Sequence, residues 1–353
     1  MKRVTILTIT MLVILAFGAT AWSLPFPITD VRALGMGGAF VAAGEGIGAI
    51  NYNPALLGEN TTVDVSLPNL NVRLEDNVGL DDLLSDLESL GDASPEARDI
   101  LLRLEQLDGS ADVQAYGGIG VGFSAFGIGM GVTYADLIYG TAFPNITDTT
   151  LPTVAGELSY VALEARQLIL SGAKSFGNVV VGANLRQIDA TVFEGSEGIF
   201  TDPGIGIGDV TTGTESDETT TALDVGVLFG LVPMVDVGIV ARDINSPKLG
   251  SIEVDPSYRI GAAINLPMAV VAADVDISEN SLEGGSDYQE WAVGGEFDVW
   301  AIALRAGLSS NSGLSGAPTL IHLGAGFGFL DIGAAYAEKG DYYMAGVNLS
   351  LGF

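Results

Sequence analysis

There is no cysteine in this chain and only one histidine. Without cysteine there can be no disulfide, no thiolate nucleophile, no zinc–thiolate site and no lipoprotein acyl anchor. A lone His322 has no second histidine with which to build a metal site or a proton relay, and its expected role is structural or lumen-lining. No metal and no other cofactor is called for. Positive charge is scarce too. The 14 Lys and Arg stand against 44 Asp and Glu, a formal net charge of -30, and a chain so acidic is no nucleic-acid binder, since neutralising phosphates takes a basic surface. The acidic blocks read as solvated loops. Residues 201–221, although rich in Asp and Thr, lack the ordered ligand spacing of a calcium loop. There is no Gly-x-Ser-x-Gly elbow, and carboxylates this abundant pair by chance, so the chain does not read as an enzyme. Long apolar runs are missing after residue 17, which leaves no transmembrane helix in the body of the chain.

What is present is glycine and alternation. Glycine numbers 48, roughly twice the usual fraction, and mean hydropathy is positive at +0.41. Residues 1–23 read as a signal peptide: Lys2 and Arg3, an apolar run from Val4 to Phe17, then Ala19 and Ala21, with cleavage expected after Ala21 or Ser23. An exported, apolar chain without a helical span points to the outer membrane.

The last stretch carries the clearest pattern. Tyr343, Ala345, Val347, Leu349, Leu351 and Phe353 fall on one face and Tyr342, Met344, Gly346, Asn348, Ser350 and Gly352 on the other. This is a strand with a greasy face for lipid and a small, polar face for a lumen. The same alternation recurs along the chain, for example at Val179, Val181 and Leu185, at Tyr258, Ile260 and Ile264, and at Ile321, Leu323 and Phe327. The count comes to about 14 strands, an even number as bacterial barrels require. Charged residues take the opposite, inward parity. They are Arg186, Asp224, Asp236, Arg242, Arg259 and Asp274, then Asp276, Glu296, Arg305, His322 and Asp331. Arg166 is placed with them, in a stretch whose parity is ambiguous around Gln167. The inward arginines are expected to pair with wall or plug carboxylates, because buried charge must be compensated. Long and short connections alternate, which puts the long ones outside the cell. Pro68 breaks the parity of the first strand and predicts a bulge or kink in the wall.

Two segments depart from the strand pattern. Residues 24–60 are rich in Gly and Ala. Gly35, Gly37 and Gly38 allow turns and close packing, and Asn53-Pro54 initiates a turn. This segment is expected as a compact plug or cap, with residues 61–353 forming the wall. Between about 79 and 108 the apolar period becomes helical, with Leu80, Leu83, Leu84, Leu87 and Leu90 on one stripe and Ser94-Pro95 capping a second helix. That predicts a helical hairpin in the first extracellular loop.

The motif from Arg32 through Gly35, Gly37 and Gly38 to Phe40, followed by Asn51-Tyr-Asn53-Pro54-Ala55-Leu, resembles the N-terminal hatch of the FadL-like outer-membrane superfamily. Its spelling is closer to the TraF-type and PorV-type branch. The resemblance implies an all-β fold: a single antiparallel transmembrane barrel, plugged by the hatch. It also implies passive uptake of hydrophobic small molecules, or alternatively a non-transporting scaffold for a secretion or conjugal-transfer partner protein. A terminal aromatic, here Phe353 with Tyr343 on the same face, resembles the signal read by the barrel-assembly machinery. In better-known relatives a strand kink forms a lateral exit, a role the resemblance would carry to Pro68. The partners so implied are outer-membrane lipid, the assembly machinery and a hydrophobic ligand or partner protein.

Overall fold

In the computed structural model the described residues are 26–59, 62–76, 99, 102, 111–148, 155–199, 211–249, 252–278, 288–314, 317–337 and 341–352. The expected signal peptide, Phe353 and nearly all of the expected helical hairpin lie outside them; Asp99 and Leu102 are helical.

The wall strands are β1 (Thr62–Asp76), β2 (Ala111–Ala125), β3 (Ile128–Asp148), β4 (Ala155–Ser175), β5 (Val179–Ile199), β6 (Thr211–Val232) and β7 (Val235–Arg242). After a small two-stranded hairpin, β8 (Lys248–Leu249) and β9 (Ile252–Glu253), the wall resumes. It continues with β10 (Ser257–Leu266), β11 (Ala269–Asp276), β12 (Glu290–Val299), β13 (Ile302–Asn311), β14 (Leu320–Phe327), β15 (Leu330–Tyr336) and β16 (Asp341–Gly352). Every neighbouring pair is antiparallel, and β1 pairs with β16 to close a barrel of 14 strands. Closure leaves the middle of the wall without a free edge, the condition for a sheet to sit in hydrocarbon.

Side-chain direction follows the two-residue period. In β14, Ile321 and Leu323 point out while Leu320 and His322 point in. The outward set, including Leu323, Ile332, Leu304, Phe297 and Val271, is about half exposed in the isolated chain. An apolar belt running round the wall exceeds the roughly few hundred Å² that a soluble monomer leaves uncovered, and hydrocarbon is the medium that removes its cost. The tight turns all lie at one end, and there Phe126, Phe176 and Trp300 are strongly exposed, in keeping with an aromatic girdle at a membrane surface.

At Pro68 the register of β1 shifts, between Leu67 and Leu70 against β16 and between Ser66 and Asn69 against β2. Proline has no N–H to give the ladder, so the strand bulges there. Arg166 departs from its expected inward position. In β4 the buried residues include Leu163, Ala165, Gln167 and Ile169, while Glu164 and Arg166 are exposed and form a 2.7 Å ion pair with each other. Arg166 stands opposite Asp136 of β3 and Asp189 of β5, in the half of the wall away from the tight turns. There the outward face is polar, so charge no longer marks the lumen side.

Residues 26–59 fill the barrel interior. Asp30 caps a short helix α1 (Val31–Gly35), its Oδ1 accepting from the amides of Arg32 and Ala33 at 2.7 and 3.3 Å. Two 3-10 turns follow, Ile47–Asn51 and Pro54–Gly58. Asn53 starts the second, its Oδ1 accepting from Ala55 N at 3.1 Å, with Pro54 at a position where no amide is needed. Phe40 and Tyr52 meet edge to face at 5.1 Å and are almost wholly buried.

Candidate functional site

The lumen holds nearly all the polar side chains that the sequence singles out, and most of them grip the plug. Arg32 projects from α1 to Glu296 of β12, with Nε donating at 2.8 Å and Nη2 at 2.5 Å. Its Nη1 reaches Glu45 at 3.3 Å and its guanidinium lies over Phe40. Glu296 also accepts from Arg305, whose Nη1 donates to Asp331 at 2.6 Å. Asp274 of β11 accepts the plug amides of Phe40 and Val41 on one oxygen, at 2.7 and 2.9 Å. His322 accepts or donates at both ring nitrogens: Nδ1 is 2.8 Å from Leu34 O and Nε2 is 2.8 Å from Ser309 Oγ. A carbonyl only accepts, so Nδ1 carries the proton and, in the neutral ring, Nε2 accepts from the serine.

The spacing of small residues in the plug has a geometric cause. A Cβ on Gly35 would lie 3.0 Å from both Arg305 Cβ and Gly324 Cα, so the plug touches the wall backbone there. Gly37 and Gly38 take φ of +73° and +90°, conformations that favour glycine. Asn53 is fully buried, and its Nδ2 donates to Val41 O and to Val227 O in β6. Pro54 and Ala55 press against Gly182 of β5, where a Cβ would come within 2.4 Å of them. Asn51 donates to Tyr116 Oη at 3.2 Å.

A second tier lies above the plug. Arg186 is held by Asp224 through Nε and Nη2, both at 3.0 Å, and by Asp243 and Gln167. Arg259 is held by Asp276 and Glu290. Among the described residues Arg242 has no carboxylate within hydrogen-bond reach and its Nε is unpartnered, and it shares the Phe26 ring with Arg259. Asp236 accepts from Asn265 nearer the tight turns, while Tyr343 points outward and is exposed.

Several anchors escape sequence reasoning. Asn69, turned inward at the Pro68 bulge, donates to Thr29 O at 2.5 Å. Asn184 donates to Ile50 O at 2.9 Å. Arg73 joins Glu75 and Glu290, and Tyr139 and Tyr288 share Asp112. Inward parity was the available signal for Asn184; the bulge hid Asn69.

Two regions differ from this packed interior. Toward the tight turns a cavity of about 730 Å³ is lined by Arg32, Glu45, Glu59, Asp236, Asp331 and their neighbours. Burial, reinforced by nearby Asp236 and Glu45, pushes the Glu59 carboxyl up to about 7. At the other end the inward face of β3 to β5 is apolar. Leu137, Leu163, Ile188 and Val192 pack there with Leu249 of β8 and with Val254, which follows β9. Among the described residues no group of three or more His, Cys, Asp or Glu is placed to hold a metal.

A closed barrel with an apolar belt and a polar, plugged bore is a transmembrane β-barrel. The family model described as "F plasmid transfer operon, TraF, protein" matches residues 50–276, and the chain belongs to that family. Its fold is that of FadL-like outer-membrane barrels. The CymD monoaromatic hydrocarbon channel superposes with a TM-score of 0.59 at 13% identity, covering 94% of this chain and 98% of its own. A FadL homologue from Pseudomonas aeruginosa gives 0.53 at 12%, covering 94% and 97%. The Pseudomonas putida toluene transporter TodX gives 0.51 at 11%, covering 95% and 99%. A comparison with curated proteins gave no match.

Proposed function

We propose that this protein is an outer-membrane conduit for apolar small molecules, with residues 26–59 as its gate. The observation that carries the reading is the apolar inner face of β3 to β5, a patch of Leu137, Leu163, Ile188 and Val192 inside an otherwise ion-paired bore. A lumen serving only water or ions has no use for such a face. Among the described residues, Leu249 and Val254 belong to a connection rather than to the wall, so their withdrawal would free the patch for a ligand. Passage onward then requires the plug to shift toward the 730 Å³ cavity at the tight-turn end. The structural neighbours titled as hydrocarbon channels and a toluene transporter support the class of cargo.

A second reading, a scaffold for a secretion or conjugal-transfer partner, draws on the plug's fastening and on the family's description. Wall side chains from β1, β5, β11, β12 and β14 hold plug groups, so many buried bonds must break before the gate moves. One experiment separates the two. The chain has no cysteine, and the Leu34 side chain reaches within 3.3 Å of where a Gly333 Cβ would stand. A Leu34→Cys, Gly333→Cys variant therefore offers a reducible tether between plug and wall. In toluene-uptake assays on proteoliposomes, the conduit reading expects flux in the reduced form and loss of flux on oxidation. No flux in either form favours the scaffold, and equal flux in both removes the gate.

A further inference from the structure

Away from the tight turns the described strands no longer pair all the way round the wall. β3 to β6 run for 21 or 22 residues, whereas β7 has 8. β5 accompanies β6 from Thr211 to Phe229, but β7 pairs with β6 only between Val225 and Val232. The upper part of β6 thus has a neighbour on one side only, among the described residues. Residues 244 and 245 cover the first step of the open side. Ile244 N donates to Leu223 O at 3.0 Å, Asn245 Oδ1 accepts from Leu223 N at 2.8 Å, and Asn245 Nδ2 donates to Thr221 O at 2.7 Å.

Those bonds fix the phase of the strand. In an antiparallel ladder alternate residues turn both main-chain groups to the same side. Leu223 and Thr221 face the open side, so Glu215, Asp217 and Thr219 do as well, and the even-numbered residues bond to β5. The strand carries Glu215, Asp217 and Glu218 and no basic residue. Thr219 Oγ1 donates to Asp189 of β5 at 2.8 Å, and Thr191 Oγ1 donates to Asp217 at 2.7 Å, which holds two carboxylates at fixed positions beside the edge. Glu215, Asp217, Glu218 and Thr219 are all exposed.

Among the described residues the wall has a second open edge, and its chemistry differs. β3 pairs with β4 as far as Asp148 but with β2 only as far as Ala142, and Pro144 sits in the overhang, where it removes a donor and blunts the edge. β6 has no proline. Among the described residues its protection is negative charge, which repels a second copy of itself, since like charges directly opposite destabilise a strand pair.

We infer that the β6 edge from Gly213 to Thr220 is a docking site to which a partner protein adds an extended, basic segment as a new strand. Main-chain bonds to Glu215, Asp217 and Thr219 supply the ladder, and the carboxylates select lysine or arginine on the incoming strand. The inference does not depend on whether the barrel conducts.

The test uses the full chain in detergent micelles and a short synthetic peptide alternating lysine and valine. Amide exchange followed by NMR should slow at Glu215, Asp217 and Thr219 on adding the peptide, and stay unchanged at Ser216 and Glu218. Asp217→Pro deletes one edge donor while leaving the bonds to β5, and should weaken binding by about tenfold or more relative to Asp217→Ala, which keeps the donor and loses the same charge. Retained heat-modifiable gel mobility shows that both variants fold. A glutamate–valine peptide should not bind. Absence of lysine–valine binding, binding without the alternating exchange pattern, or equal affinity of the two variants would each overturn strand addition; the last two would leave surface charge attraction alone.

Discussion

Asp274 shows what a single wall residue contributes. One of its oxygens accepts two plug amides, from Phe40 and Val41, in a fully enclosed position. Asp274→Ala leaves both donors buried without a partner, at about 1–3 kcal/mol each. Asp274→Asn keeps an acceptor oxygen and should recover at least half of that loss. Thermal unfolding of the detergent-solubilised protein checks the order wild type, Asn, Ala. Glu59 makes a different prediction at the same scale. Its folded-state carboxyl is raised to about 7 from an ordinary carboxylate value near 4.5. A raised group binds its proton more tightly in the folded state, so its stabilising contribution is present at low pH and fades as pH climbs through about 7. Amide protection factors in residues 55–59, which divide out the intrinsic pH dependence of exchange, should therefore be higher at pH 5 than at pH 8, and Glu59→Gln should flatten that dependence. A dependence unchanged in Glu59→Gln would assign it to another group.

At the scale of a strand, the outward face changes meaning with height. In β14, Leu323→Arg puts a cation into the apolar belt and should cost up to about 2–4 kcal/mol if the site lies at mid-depth. In β4, Arg166→Ala removes an exposed, solvent-screened pair with Glu164 and should leave stability essentially unchanged. Folding titrations into lipid vesicles would measure both, and comparable losses would contradict the placement of the belt. This contrast also explains what the sequence could and could not reveal. Parity identifies the wall wherever hydrocarbon forbids charge on one face, as at Ile321, His322 and Leu323. Above the lipid, water accepts charge on that face, so Arg166 gives no parity signal although Leu163 and Ile169 beside it stay inward. The plug was legible through its glycines, because Gly35 and Gly37 lie where plug meets wall backbone and Gly37 and Gly38 take positive φ. Its anchors were not: which carbonyl Asn184 or His322 meets depends on how the plug sits in three dimensions, and neither partner is near in sequence.

For the molecule as a whole, wall and plug depend on each other unequally. In the part of the wall next to the tight turns every strand pairs its main chain with wall neighbours on both sides, including the β1–β16 seam from Asp64 to Asp76, so the barrel needs no plug to pair its backbone in the membrane. The plug has only short helical turns of its own, and its apolar core is shared with wall residues such as Ile169, Val180 and Leu228. Removing residues 26–59 would leave Asp274, Glu296, Asn184 and His322 facing an emptied bore without their plug partners, and the wall glycines lining a void. Water entering that space would hydrate the freed groups but not replace the lost apolar packing. A variant lacking 26–59, with the N-terminal segment 1–25 kept, should therefore still show the faster, unboiled mobility of a folded barrel and should lose it at a lower temperature than the full chain. A gel series over temperature reads both quantities together. Failure to reach the folded form would mean that the plug is needed to close the seam, with Asn69 at the Pro68 bulge as the contact through which it would act.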